Sequence, residues 1–192
     1  MRQQIHKLFA QVLDYPGPAL SRSVSQLLNL LANSLPEHVL AIEAFQNALE
    51  EAGLSRFQEL YIQTFDFRAD CSLYVGHYLF GESGRRGAFL AELSNRYRER
   101  QLPATRDLPD HMSGLLHYLS ALEPGEEASE LIHGCLIPAL SRITAANAIA
   151  RSPYRLVLEA LLAILRQKDR DHSDSGEFAW TSSSSSPFLI LR

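Results

Sequence analysis

Apolar residues recur at helical spacing along most of this chain, and no stretch alternates apolar with polar. Leu20, Val24, Leu27, Leu28 and Leu31 fall on one stripe when the backbone winds at about 3.6 residues per turn. Phe57, Leu60, Tyr61 and Phe65 repeat the pattern, as do Phe89, Leu90, Leu93 and Tyr97. Met112, Leu115, Leu116, Leu119 and Leu122 form a fourth stripe. Amphipathic helices bury such stripes against one another, so the expected fold is all-α: a compact single-domain bundle of roughly eight helices.

Turn and cap residues divide the pattern. "YPGP" closes a first helix because proline cannot continue one. Pro36 stands near the start of a third helix, which Gly53 can end, and Ser55 can cap the next. Residues 71–80 are short and apolar, and their state stays open. A helix follows over about 85–100. Asp107 and Asp110 have capping-box spacing ahead of the Met112 stripe. "PGEE" at 124–127 precedes a long helix kinked at Pro138, and Pro153 precedes a last one. The helical domain is expected over 1–168. Residues 169–192 include "TSSSSSPFLILR", and a serine run cannot bury apolar surface, so a flexible tail is expected there.

Composition limits function. The 192 residues suit one domain with a proper core. A net charge of -4 gives no general drive toward nucleic acid or anionic membranes. There is no apolar run of transmembrane length and no continuous signal-peptide core near the first residues, so neither membrane insertion nor export is expected and the expected location is cytoplasmic. Cys71 and Cys135 then read as free thiols.

Charge is segregated along the chain. Residues 85–106 hold six arginines, whereas 107–133 hold six acids and no Lys or Arg. Solvated helix faces and an acidic surface suited to a basic peptide are both compatible with this. Catalytic motifs are missing: there is no HExxH, CxxC or GxSxG. "GESGRRG" is neither a P-loop nor a dinucleotide fingerprint. It does place Arg85 and Arg86 at a helix start, where cations are locally unfavourable. Gly81, Gly84 and Gly87 give that stretch its turn freedom, and Ser83 is a candidate N-cap.

Four stretches occur in order: "YIQTFDF" (61–67), "LYVGHYLFGESGRRGAFLAEL" (73–93), "RYRERQL" (96–102) and "DLPDHMSGLLHYLSAL" (107–122). Together they resemble the NarJ-type assembly chaperones of respiratory nitrate reductase, within the wider group that includes the TorD-like proteins. The resemblance is close over about 57–122 and looser in the helical flanks. It implies an all-α cytoplasmic protein that is not an enzyme. It would bind the N-terminal segment of the catalytic (alpha) subunit of a molybdenum oxidoreductase. The client would then receive its molybdenum bis-pterin guanine dinucleotide cofactor, with cofactor-delivery proteins as further partners. No cofactor would stay on the chaperone. Gly84 and the Gly76-His77-Tyr78 run depart from the family pattern, so a related non-nitrate molybdoenzyme stays open as the client.

A groove with a charged rim is what such binding requires. Asp66, Asp70, Asp107 and Asp110, with His111 among them, would complement a basic client segment. Tyr61, Phe65, Tyr74, Tyr78 and Tyr118 are the aromatic anchor candidates, core packing being the alternative for each. Gly81, Glu82, Ser83, Arg85, Arg86 and Gly87 form the loop motif. Its arginines either pair with Glu82 or an acid at 107–110, or face an anionic group of the client. Two other classes stay open: a helical subunit that remains in a redox complex, and a small enzyme using Asp110, His111 and His117.

Overall fold

The computed structural model describes residues 1–81, 83–103 and 106–173, with side chains described as far as Gln167. Nine α-helices occur among the described residues: α1 (Arg2–Val12), α2 (Leu20–Ser34), α3 (Val39–Tyr61), α4 (Val75–Phe80), α5 (Gly84–Glu99), α6 (Met112–Ala121), α7 (Glu126–Glu130), α8 (Ile137–Ala145) and α9 (Tyr154–Ser173). The all-α expectation holds. The only β feature among the described residues is an isolated antiparallel bridge between Tyr74 and His111.

Helix α1 packs between α6 and α2, α3 lies on α2 and α9, and α4 contacts both α5 and α8. The stripes read from the sequence supply the core. Val24, Leu27, Leu31, Phe57, Leu93, Met112, Leu115 and Leu116 are all buried. Phe45, Phe57, Tyr61 and Phe65 from the α3 segment pack against Tyr154 of α9, with ring centroids 5.1–5.7 Å from it. Burying each such ring contributes roughly 1.5–3 kcal/mol.

Gly53 interrupts α3 with φ of 75°, a left-handed conformation that glycine adopts without steric cost, so the expected break falls where the sequence put it. The ambiguous stretch resolves into a 3-10 turn, Ala69–Cys71, followed by α4. The expected kink at Pro138 takes another form. Helices α7 and α8 run on through a π-helical segment, Leu131–Leu136, and Pro138 sits in the first turn of α8. A proline there withdraws a donor from the turn before it, which the wider π turn accommodates.

The capping box before α6 is not formed. His111 is the N-cap, and its ring accepts from the Ser113 backbone N–H. Asp107 and Asp110 are committed to side chains of other elements instead. Residues 73–75 and 110–112 also lie side by side, Val75 N–H donating to the Asp110 carbonyl and Met112 N–H to the Leu73 carbonyl, each at 2.8 Å. Residues 108–111 form a turn closed by His111 N–H on the Leu108 carbonyl, and the pairing holds His111 extended, so the helix starts only at Met112. The serine-rich part of the expected tail lies outside the described residues.

Candidate functional site

The paired segments bring two acids of one motif into different environments. Asp110 is fully buried, and Arg86 of α5 donates to its Oδ2 through Nε at 3.0 Å and Nη2 at 2.9 Å. Its Oδ1 is buried without a hydrogen-bond partner among the described residues. Asp107, three residues earlier, is half-buried and accepts from the Tyr74 hydroxyl at 3.0 Å. The Arg86 guanidinium lies 5.8 Å from the centre of the Tyr74 ring, a cation–π placement. Arg86 thus finds its carboxylate in the "LPDH" segment. Arg85 is exposed, with no ion pair among the described residues. Glu82, the other expected partner, lies outside the described residues.

His111 connects this outer layer to the core. Its Nδ1 is 2.8 Å from Ser113 Oγ and accepts the Ser113 backbone N–H at 3.4 Å. With Nδ1 accepting, the proton belongs on Nε2, which faces the Tyr61 hydroxyl oxygen at 3.4 Å. Tyr61 in turn donates to the Leu13 carbonyl at 3.2 Å, and Tyr15 meets the Tyr61 ring edge-on at 5.6 Å. Burial lowers the His111 pKa, opposed by the negative charges of Asp107, Asp14, Asp110 and Asp66. Burial, with Asp107 nearby, raises the Asp66 pKa. The Tyr74 phenol is pushed up to about 12, mainly by burial and then by Asp107.

Three acids stand near one buried pair. Asp14, Asp66 and Asp107 act together on the buried Tyr61–His111 pair. Beside them stand exposed apolar side chains: Tyr15 next to Asp14, Phe67 next to Asp66 (78% exposed) and Leu108 next to Asp107. Asp14, Tyr15, Phe67 and Leu108 are absent from the residues expected from sequence. Asp14 and Tyr15 follow a helix far outside the motif block, so only the tertiary packing of α1 brings them in. Phe67 and Leu108 do lie inside the motifs. Neither falls on one of the helical stripes, and spacing alone does not mark either as exposed.

Other expected site residues are placed differently. Tyr61, Phe65, Tyr78, Tyr118, Asp110 and His111 are buried, so they present almost no surface to a partner. Their hydroxyls and rings are taken up inside the fold. Tyr78 donates to the Ser72 carbonyl at 2.9 Å, and Phe65 packs on Tyr61 and Tyr154. Tyr118 donates to Glu127, which also receives Arg96 and Arg100. Part of the arginine-rich stretch is therefore neutralised by the acidic segment that follows it. Asp70 is exposed but acts on Cys71 and Tyr78, away from the Asp14–Asp66–Asp107 group.

Among the described residues of the loop motif only Gly81 has a positive φ, 60° at the end of α4. Gly84 and Gly87 belong to the first turn of α5, so the turn is shorter than three spaced glycines suggested. Ser83 occupies the N-cap position of α5 with extended backbone and no side-chain cap bond.

Surface concavities lie elsewhere, one between α1 and α2 lined by Gln4, Leu8, Gln26, Asn29, Leu30 and Asn33, another around Gly17 and Gly53. Neither includes a motif residue. No three His, Cys, Asp or Glu side chains among the described residues are grouped to hold a metal ion. No described helix is long and apolar enough to cross a membrane.

The described residues thus form an all-helical body in which Asp14, Asp66 and Asp107 stand near the buried Tyr61–His111 pair. The chain is 29% identical over 161 residues to the nitrate reductase molybdenum cofactor assembly chaperone NarJ of Escherichia coli K12, covering 82% of this chain and 67% of that protein. Against the probable NarJ of Bacillus subtilis it is 36% identical over 66 residues, about a third of each chain. Against the probable assembly chaperone NarW of Escherichia coli K12 it is 26% identical over 162 residues, 84% of this chain and 68% of that one. No family model matches. The chain is similar in sequence to NarJ-type nitrate reductase assembly chaperones.

Proposed function

We propose that this chain is a cytoplasmic assembly chaperone for a molybdenum oxidoreductase, respiratory nitrate reductase being the first candidate. It binds the N-terminal segment of the catalytic subunit and holds that subunit ready for insertion of its bis-pterin guanine dinucleotide cofactor. It leaves once the enzyme is assembled, and it catalyses no reaction itself. The observation that carries this reading is the extended similarity to NarJ, whose span of 161 residues takes in most of the helical body.

Physics supports a location for the contact. Asp14, Asp66 and Asp107 supply negative charge near one buried pair, and the exposed apolar side chains of Tyr15, Phe67 and Leu108 each follow one of them along the chain. A client helix with one apolar stripe and a few basic side chains fits such a face. Its apolar anchors contribute affinity, and its charges set register and speed of encounter. Tyr74 stands at the edge of the face with its hydroxyl already bonded to Asp107.

Titration calorimetry with a synthetic peptide copying the N-terminal segment of a nitrate reductase catalytic subunit tests this. Saturable one-to-one binding is expected, weakened by Phe67→Ala and by Asp107→Asn. Binding that neither substitution alters would sink the assignment of the face. Stoichiometric recovery of the chain with finished, active oxidoreductase would instead show a permanent subunit.

A further inference from the structure

Gly76, the second residue of α4, is buried against the Arg86–Asp110 pair. A Cβ added there would lie 2.5 Å from Asp110 Oδ2 and 3.2 Å from Arg86 Cγ. The first distance is far inside contact, so the pair occupies space that any other residue would need. The backbone cannot easily yield, because Val75 and Asp110, and Met112 and Leu73, are joined by main-chain bonds on either side. Among the described residues Asp110 has no second anchor: its Oδ1 is unpartnered, and its Oδ2 bonds to Arg86 alone.

From that pair a chain of contacts runs outward: the Arg86 guanidinium lies by the Tyr74 ring, and the Tyr74 hydroxyl donates to Asp107. We propose that Gly76 and Arg86 are positioning residues of the binding face, setting through buried Asp110 the place at which Tyr74 and Asp107 stand. This rests on the reading that the face receives a client. Neither residue need touch that client. Gly76 is enclosed, and the Arg86 head group is turned inward to Asp110. A methyl group at 76 must push Oδ2 or the Arg86 stem aside, and the displacement passes to Tyr74 because nothing else among the described residues secures the carboxylate.

Two charge-conserving variants, Gly76→Ala and Arg86→Lys, test the proposal in the full chain, with circular dichroism to confirm folding. The first readout needs no client. In protein labelled at the tyrosine ring carbon that bears the hydroxyl, the Tyr74 resonance, assigned with Tyr74→Phe, reports the bond to Asp107 at neutral pH. In both variants it is expected to move toward its position in Asp107→Asn. The second readout is calorimetry with the nitrate reductase peptide, where affinity is expected to fall at least about tenfold. In the Tyr74→Phe background that loss should largely vanish, because residues acting through one contact are not additive. A Tyr74 resonance unmoved in folded Arg86→Lys overturns the proposal, even if Gly76→Ala fails to fold. Losses that add fully to that of Tyr74→Phe overturn it too. If the unmodified chain binds no peptide, the client reading falls, and the resonance still decides whether Gly76 and Arg86 position Tyr74.

Discussion

Arg86→Ala is the substitution that bears hardest on the fold. It leaves a carboxylate with no exposure and no remaining partner among the described residues, because Oδ1 has none there and Oδ2 bonds only to Arg86. Breaking a fully buried ion pair from one side costs about 3–5 kcal/mol. The Arg86 side chain is 25% exposed, so water already screens that end and can enter the space it leaves. A loss of about 2–3 kcal/mol follows, lowering Tm by about 4–12 °C for a chain of this size. Urea unfolding followed by far-ultraviolet circular dichroism is the assay. Tryptophan emission serves less well, since the single tryptophan, Trp180, lies outside the described helical body. Asp110→Asn should cost less, because a neutral amide tolerates burial better than a lone charge. The double variant should lose no more than Arg86→Ala alone. Stability within about 0.5 kcal/mol of the parent in Arg86→Ala, or losses that simply add in the double variant, would refute the reasoning.

Other consequences follow from the same arrangement. Peptide affinity should fall with rising salt, and Asp107→Asn should flatten that dependence; an unchanged slope would place the acids outside the contact. His111 has its pKa lowered from 6.5, so its contribution to stability is present above that value and lost as pH falls through the lower folded value. His111→Gln should therefore narrow the fall in Tm between neutral and mildly acid pH, and an identical fall would contradict this. Asp66 is shifted the other way, raised from 3.8 by burial and by Asp107, so its contribution is present below that value and lost as pH rises through the folded one. Asp66→Asn should raise Tm slightly at neutral pH while weakening the peptide, and a lowered Tm would count against it. Removal of residues 174–192 should change stability by less than about 0.5 kcal/mol, because a serine-rich segment buries little; a larger loss would show that "PFLIL" packs on the body.

Much of the scaffold was legible because helical periodicity is a local property. The Leu20–Leu31 stripe, the break at Gly53 and the extent of α5 each depend on residues within a few turns of one another. The binding face was less legible. Tyr61 and Phe65 stand in a motif, yet their rings are buried against Tyr154, nearly a hundred residues away along the chain. Spacing tells which side of a helix is apolar, but not whether that side meets the core or a partner. Asp14 and Tyr15 show the converse. Nothing local marks them, and they reach the face because α1 packs on α6.

The segment 107–111 shows most clearly how tertiary pairing overrides local preference. By spacing, Asp107 and Asp110 belong to the first turn of a helix, where each would satisfy free backbone N–H groups. Instead the chain turns, His111 N–H closing on the Leu108 carbonyl, His111 pairs with Tyr74, and the two carboxylates reach different partners. Asp110 goes inward, where only a cation can offset its burial, and the nearest one is Arg86 at the start of α5. That cation is poorly placed for its own helix, whose N-terminus repels positive charge. The pair resolves both conflicts. The buried carboxylate gains its counter-charge, and the arginine is drawn off the helix end toward a neighbour. Asp107 stays half-buried and accepts from the Tyr74 hydroxyl. His111 takes over the capping of α6 with its own ring, which ties the start of that helix to Tyr61 and the aromatic core. Five consecutive residues thereby connect the loop motif, the core and the exposed acids. A change to any one of Gly76, Arg86 or Asp110 should be felt at Tyr74 before it is felt in the bundle.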